Sequence, residues 1–229
     1  MTTKTFHIDF NGFGAGTVID DELAAKGLQV AAFTKDGDPK DAMIFDTAYP
    51  SGGDDDLATT NLKKVLIISE DGDACDPDDE ADGGTLVFSF HGAAKVKELT
   101  FLDIEEGASI KFFDEDGDLI EEIAIPAGGN NDQFVADLDV EDVHSMAVTL
   151  NGSGAIDDLK YALDTSKTMD PFALDESHLI AEYLFEDDNQ GQHPIAGRTF
   201  EDTATALDGV AQTGTPIGSP NTLNSSDVL

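Results

Sequence analysis

Apolar residues in the first 164 positions recur with a period of two, the spacing of strands buried on one face. In TFHIDF (5–10), Phe6, Ile8 and Phe10 fall on one side and His7 and Asp9 on the other. TLVFSF (85–90) repeats the pattern with Leu86, Phe88 and Phe90. KVKELTFLDI (95–104) turns Val96, Leu99, Phe101 and Ile104 inward, and the change of phase after Val96 predicts a bulge. KVLIISE (64–70) is an unbroken apolar run, suited to a strand covered on both faces. GLQVAAF (27–33) opens on a glycine and reads as a further strand. SIKFFDEDGDLIEEIAIP (109–126) reads as a hairpin turning on Asp116 and Gly117, and VHSMAVTLNGSGAIDDLKYAL (143–163) as two strands around residues 151–154. DDELAAKG (20–27) has helical composition for one or two turns only. Roughly eight or nine strands at this spacing predict an all-β fold, an antiparallel jelly-roll β-sandwich over residues 1–164.

Beyond it, TSKTMDPFALDE (165–176) reads as a linker, and residues 177–229 as a C-terminal strand-containing extension. That extension holds one clear strand, LIAEYLF (179–185), before the chain turns polar and rich in Gly and Pro. Some fifty residues with one strong strand cannot bury a core alone. The extension therefore docks on the first domain, donates its strand to another copy, or opens a sandwich that the sequence truncates.

Charge narrows the classes of partner. Lys and Arg number 12 against 48 Asp and Glu, a net charge of −36. Phosphate binding needs clustered cations, so nucleic acid and anionic membranes are not expected as partners. No apolar run approaches the ~18 residues of a spanning helix, so membrane insertion is not expected. Asp supplies 34 of the acids and Glu 14. Asp favours turns over helices, so this excess places carboxylates in loops, where they commonly ligate calcium. The alternative is an acidic surface suited to high salt. The densest run, EDGDACDPDDEADGG (70–84), offers Asp71, Asp73 and Asp79 as calcium ligands; without a cation it is a salt-screened loop of repelling charges. SGGDDDLATT (51–60) is a second acidic turn, expected near the first at one sheet end. DEDGDL (114–119) misses the EF-hand pattern in its glycine and in its terminal Glu.

Signals for catalysis are weak. Cys75 is the single cysteine, which excludes an internal disulfide, and its acidic neighbours suppress the thiolate. His7, His91, His144, His178 and His193 form no HExxH or HxxxH pair, and no GxSxG occurs. The glycines of FNGFGAGTVID lack the dinucleotide-binding spacing. The chain is not expected to be an enzyme. MTTKTFHIDF carries no apolar leader, which leaves a removed leader, another export route or an intracellular protein open.

The ordered set FHIDFNGFGAGTVIDDELAAKGLQVAAF, AMIFDTAYPSGGDDDLATTNLKKVLIISED, GGTLVFSFHGAAKVKELTFLDIEE, FFDEDGDLI and GSGAIDDLKYAL, over residues 5–163, resembles calcium-binding, galactose-binding-like jelly-roll modules of secreted bacterial proteins. Non-catalytic carbohydrate-binding modules are among them. The resemblance implies a calcium where the loop after the first strand meets the last strand, held by Asp9 and Glu22 with Asp157 or Asp158. It also implies an extracellular or cell-surface location and a glycan or matrix partner. Sugar rings commonly stack on an exposed aromatic; Trp is absent, Tyr161 alternates with core positions, and Tyr49 in FDTAYPSGG is the candidate. HLIAEYLFEDD and DTATALDGVAQTGTP resemble the opening of a laminin-G or concanavalin-like sandwich. The expected function is a calcium-stabilised module binding glycans or matrix. The alternative is a structural subunit that assembles with other copies of itself into a calcium-dependent filament or surface layer through its C-terminal extension.

Overall fold

The computed structural model describes residues 3–164; the linker, the extension and its sandwich-like opening lie outside the described residues. Ten strands follow one another: β1 (Thr3–Ile8), β2 (Leu28–Thr34), β3 (Pro39–Lys40), β4 (Ala42–Asp46), β5 (Lys64–Ile68), β6 (Gly84–Leu102), β7 (Ala108–Phe113), β8 (Leu119–Ile125), β9 (Gln133–Leu150) and β10 (Ala155–Asp164). Two single-turn 3-10 helices, Ala24–Lys26 and Asp55–Leu57, interrupt them. No helix among the described residues is long and apolar enough to cross a membrane.

All strand pairings are antiparallel, and β6 and β9 carry the architecture. Both are long, and their mutual register shifts between Ser89 and Glu98. These bulges divide each strand into two limbs. The first limb of β6 pairs with β2 (Leu28↔Phe90), and the second limb of β9 pairs with β7 (Ile110↔Val148), which pairs in turn with β8. The second limb of β6 pairs with β10 (Ile156↔Phe101) and with the first limb of β9 (Phe101↔Phe134). β10 also joins β1 and β5, and β5 joins β4. The result is an antiparallel jelly-roll sandwich whose two layers share two bent strands.

The period-two pattern explains the core. Leu86, Phe88 and Phe90, with Val96, Leu99 and Phe101, project into one apolar cluster with Ile8, Phe10, Leu66, Ile68, Phe112 and Tyr161. β5 is covered on both faces, as its unbroken run predicts: Leu66 and Ile68 enter that cluster, whereas Val65 and Ile67 join Met43, Phe45, Leu57 and Leu62. Leu57 and Leu62 thereby pin the 47–63 segment over the outer face of the layer.

Three sequence expectations change. TLVFSF and KVKELTFLDI, read as separate strands, are one, because residues 91–95 pass through bulges without ending the strand. The second long strand begins ten residues before VHSMAVTL, at Gln133. DDELAAKG yields only the 3-10 turn, closed by Gly27 in the left-handed conformation. The hairpin stands, with Phe113 opposite Leu119 and Gly117 at φ 80°.

Tyr161 ties β10 to the turn before β2. Its hydroxyl donates to the Lys26 carbonyl at 2.9 Å, and its ring packs against Phe6 and Phe90 at centroid distances of 5.2 and 5.1 Å. Tyr161→Phe removes this bond and strands the carbonyl. We expect a loss of about 1 kcal/mol, read as a lower urea midpoint at unchanged m-value; an unchanged midpoint rejects this role for the hydroxyl.

Candidate functional site

At one end of the sandwich, the 47–63 segment and the start of β9 enclose a groove of about 440 Å³, lined by Thr47, Ala48, Pro50, Ala58, Thr59, Thr60, Asn61, Asn131 and Gln133. Every lining side chain is uncharged. The amides of Asn61 and Gln133 face each other, donating reciprocally at 2.9 and 3.1 Å. The Thr47 and Thr59 hydroxyls share a hydrogen bond of 2.8 Å. Between the lining residues Ala48 and Pro50, Tyr49 stands 81% exposed. A groove of paired amides and hydroxyls beside an exposed aromatic ring can exchange its internal bonds for those of a polyhydroxylated ligand.

Asn131 connects this groove to a set of buried acids. Its backbone sits at φ 60°, a conformation Asn tolerates better than most residues. Its side-chain amide donates to the carbonyls of Asp56 and of Ala58, the latter at 2.8 Å, while its backbone N–H donates to Asp103. Asp103 is buried at the end of β6, and burial, with the charges of Asp56, Glu105 and Asp79, pushes its carboxyl up to about 6. Asp79 is only 5% exposed; it accepts from the Ser153 hydroxyl at 2.7 Å and from the Gly154 N–H, and burial raises its pKa. Asp54 accepts the Asp79 N–H at 2.9 Å, and burial, then the charges of Asp79, Asp56 and Asp78, push it up to about 7.

The two acidic turns meet here, as their composition suggests. Gly52 N–H donates to Asp76 at 2.9 Å, and the Ser51 hydroxyl to the Pro77 carbonyl at 2.7 Å. Gly52 has φ 66°, and a Cβ there would lie 2.2 Å from that of Asp78, so the contact requires glycine. Of the proposed loop ligands, the structure separates Asp79 from Asp71 and Asp73. Asp71 and Asp73 are exposed and accept from the N–H groups of Asp73 and Cys75, each at 2.8 Å, in successive turns.

A second acidic group lies where β1 ends, beside the first half of β10. Their ladder runs to Ile8↔Leu159, which brings Asp9 and Asp158 to the same end. β10 bulges between Asp157 and Lys160, with Asp158 at φ 52°. The bulge leaves Asp157 2% exposed, with a buried Oδ1 that has no hydrogen-bond partner. Burial, with the charges of Asp158 and Asp9, pushes Asp157 up to about 8, against a hydrogen bond from the Asp158 N–H. His7 pairs with Asp158. The unpartnered Asp157 oxygen is the feature of this group that a hard cation such as calcium would satisfy; Asp158 and Asp9 act on it through their charges, and Asp158 is itself paired with His7. Glu22 accepts the Asp20 N–H at 2.8 Å and gathers with Asp20 and Asp21 on the surface, their oxygens within 4.8 Å of one another, in a set that does not include Asp9, Asp157 or Asp158.

Sequence reasoning picked out Tyr49 but missed Asn61, Asn131, Gln133 and Asp103. Uncharged amides in loops carry no spacing signature, and Asp103 is one acid among 34 aspartates.

The fold and groove together define an antiparallel β-sandwich with a polar end-groove. No family model matches the chain, and no curated protein matches it. Solved structures similar to it are carbohydrate-binding modules and lectin domains. Discoidin II from Dictyostelium discoideum is 11% identical, with a TM-score of 0.36; the match covers 62% of this chain and 57% of discoidin II. The family 32 carbohydrate-binding module of C. perfringens NanJ, solved with galactose, is 14% identical, with a TM-score of 0.32, covering 60% of this chain and 93% of the module. The lectin domain of Lectinolysin, solved with Lewis B antigen, is 9% identical, with a TM-score of 0.31, covering 55% and 93%.

Proposed function

We propose that the chain is a non-catalytic, extracellular module that binds glycans in the end-groove and is stabilised by calcium at Asp9, Asp157 and Asp158. The observation that carries glycan binding is the groove itself: only uncharged side chains line it, and Tyr49 stands exposed between two of them. A sugar presents an apolar C–H face and a ring of hydroxyls. Tyr49 supplies a stacking surface, and Asn61 and Gln133, held by each other, with Thr59, held by Thr47, supply donors and acceptors already in place. Calcium supplies the charge that the Asp157 pocket lacks, and the network through Asn131 keeps the groove wall in position.

A glycan array probed with the full chain in calcium should show binding to uncharged glycans. On the best of these, Tyr49→Ala and Asn61→Ala should each weaken binding about tenfold, close to 1.4 kcal/mol. Failure to bind any glycan in calcium, or variants binding as tightly as the parent, rejects the reading.

A further inference from the structure

The sandwich has a strand edge that the described residues leave open. Residues 133–140, the first limb of β9, pair with β6 alone among the described residues. At this edge Phe134 is 39% exposed and Val135 53%, whereas Ala136, Leu138 and Val140 are buried. Phe134 shares the inward alternation of those three residues, so the core is left uncovered where the layer stops. An open apolar edge of this kind is a template for another strand.

We propose that residues 179–185 of the same chain, LIAEYLF, add to this edge as an antiparallel strand. Chain direction favours this edge over β1 and β8, the two longer strands that also pair on one side only. Leu163 of β10 lies opposite Ala94 of β6, and Ala94 lies opposite Val143 of β9. The chain therefore leaves β10 at the Val140 end of the open limb. A strand entering from there and running toward Gln133 is antiparallel to β9. The same chain laid along β1 starts at Thr3, opposite Asp164, and runs parallel to β1. Along β8 it starts near Leu119, which follows the row of Phe113 and Ser145, and again runs parallel. Antiparallel pairing is the more stable per residue. Three inter-strand spacings, about 14 Å, separate β10 from the new position. Residues 165–178 can span about 46 Å when extended, so the same molecule reaches its own edge. LIAEYLF carries one charge, Glu182, and its apolar side chains provide cover for Phe134 and Val135.

Hydrogen exchange on the full chain tests the assignment, with the amides of β5 as internal reference. In the parent, the amides of 134–140 should be protected at every protein concentration. Ala181→Pro, which removes a strand N–H and disfavours pairing, should accelerate their exchange at least tenfold relative to β5. Equal exchange in parent and variant overturns the proposal. Protection that disappears on dilution also overturns it, because the strand then comes from a second copy.

Discussion

In EDTA at pH 8, the full chain should melt about 8–16 °C below its melting temperature in saturating calcium. A cation at about a thousand times its Kd contributes about 4 kcal/mol, and a domain of this size shifts by about 2–4 °C per kcal/mol. The pH dependence of the cation-free protein should carry the same signature. Asp157 has a folded pKa of about 8 against an ordinary 3.8, so between those values the folded chain holds a proton that the unfolded chain has released. The folded state binds more protons, and stability falls as pH rises from about 4 to about 8, then levels. Asp54 and Asp103, raised to about 7 and about 6, act in the same direction over narrower windows. Calcium should flatten the decline, since it replaces the proton as the neutralising charge. Asp157→Asn separates this site from the other acids: it should raise the cation-free melting temperature at pH 8 and remove most of the calcium response. Identical melting of the parent in EDTA and in calcium would eliminate the cation from the account.

Asp79→Ala should cost about 3 kcal/mol, seen as a urea midpoint well below that of the parent. Asp79 takes two hydrogen bonds from the β9–β10 turn, at Ser153 and Gly154, and bonds to a charged acceptor are worth about 1.5–3 kcal/mol each. Removal leaves the Gly154 N–H unpaired in the interior. Relief of repulsion between Asp79 and Asp54 returns part of that loss. Asp54→Asn relieves the same repulsion while keeping an acceptor for the Asp79 N–H, so it should be neutral or stabilising at pH 8. If Asp79→Ala unfolds at the parental midpoint, Asp79 does not anchor the turn.

The strands were legible where alternation was clean, as in TFHIDF, TLVFSF and the hairpin around Gly117. They were misjudged where it was less plain. The first limb of β9 alternates Ala136, Leu138 and Val140 with Asp137 and Asp139, and its apolar face is too short of bulky residues to stand out as a strand. TLVFSF and KVKELTFLDI read as two strands, but the backbone between them bulges and keeps its partners. Tyr49 was legible because a lone aromatic before Pro50 in a polar segment has nowhere to be buried. The sequence marked Asp157 and Asp158 equally; the bulge distinguishes them by burying the first and leaving the second at the surface beside His7. The acids of 70–84 could not be sorted from sequence, because which of them turns inward depends on contacts with Ser153 and Gly154, over 70 residues away.

Because β6 and β9 each run through both layers, neither layer has a boundary at which it can come apart alone. Losing β9 from one side withdraws the partner of β6 on the other, so the layers should form and dissolve as one cooperative unit. Their pairings also join residues distant in sequence, such as Gly84 with Leu150. Such long closures must be made before any core is gained, which places this chain among the slow folders for its size.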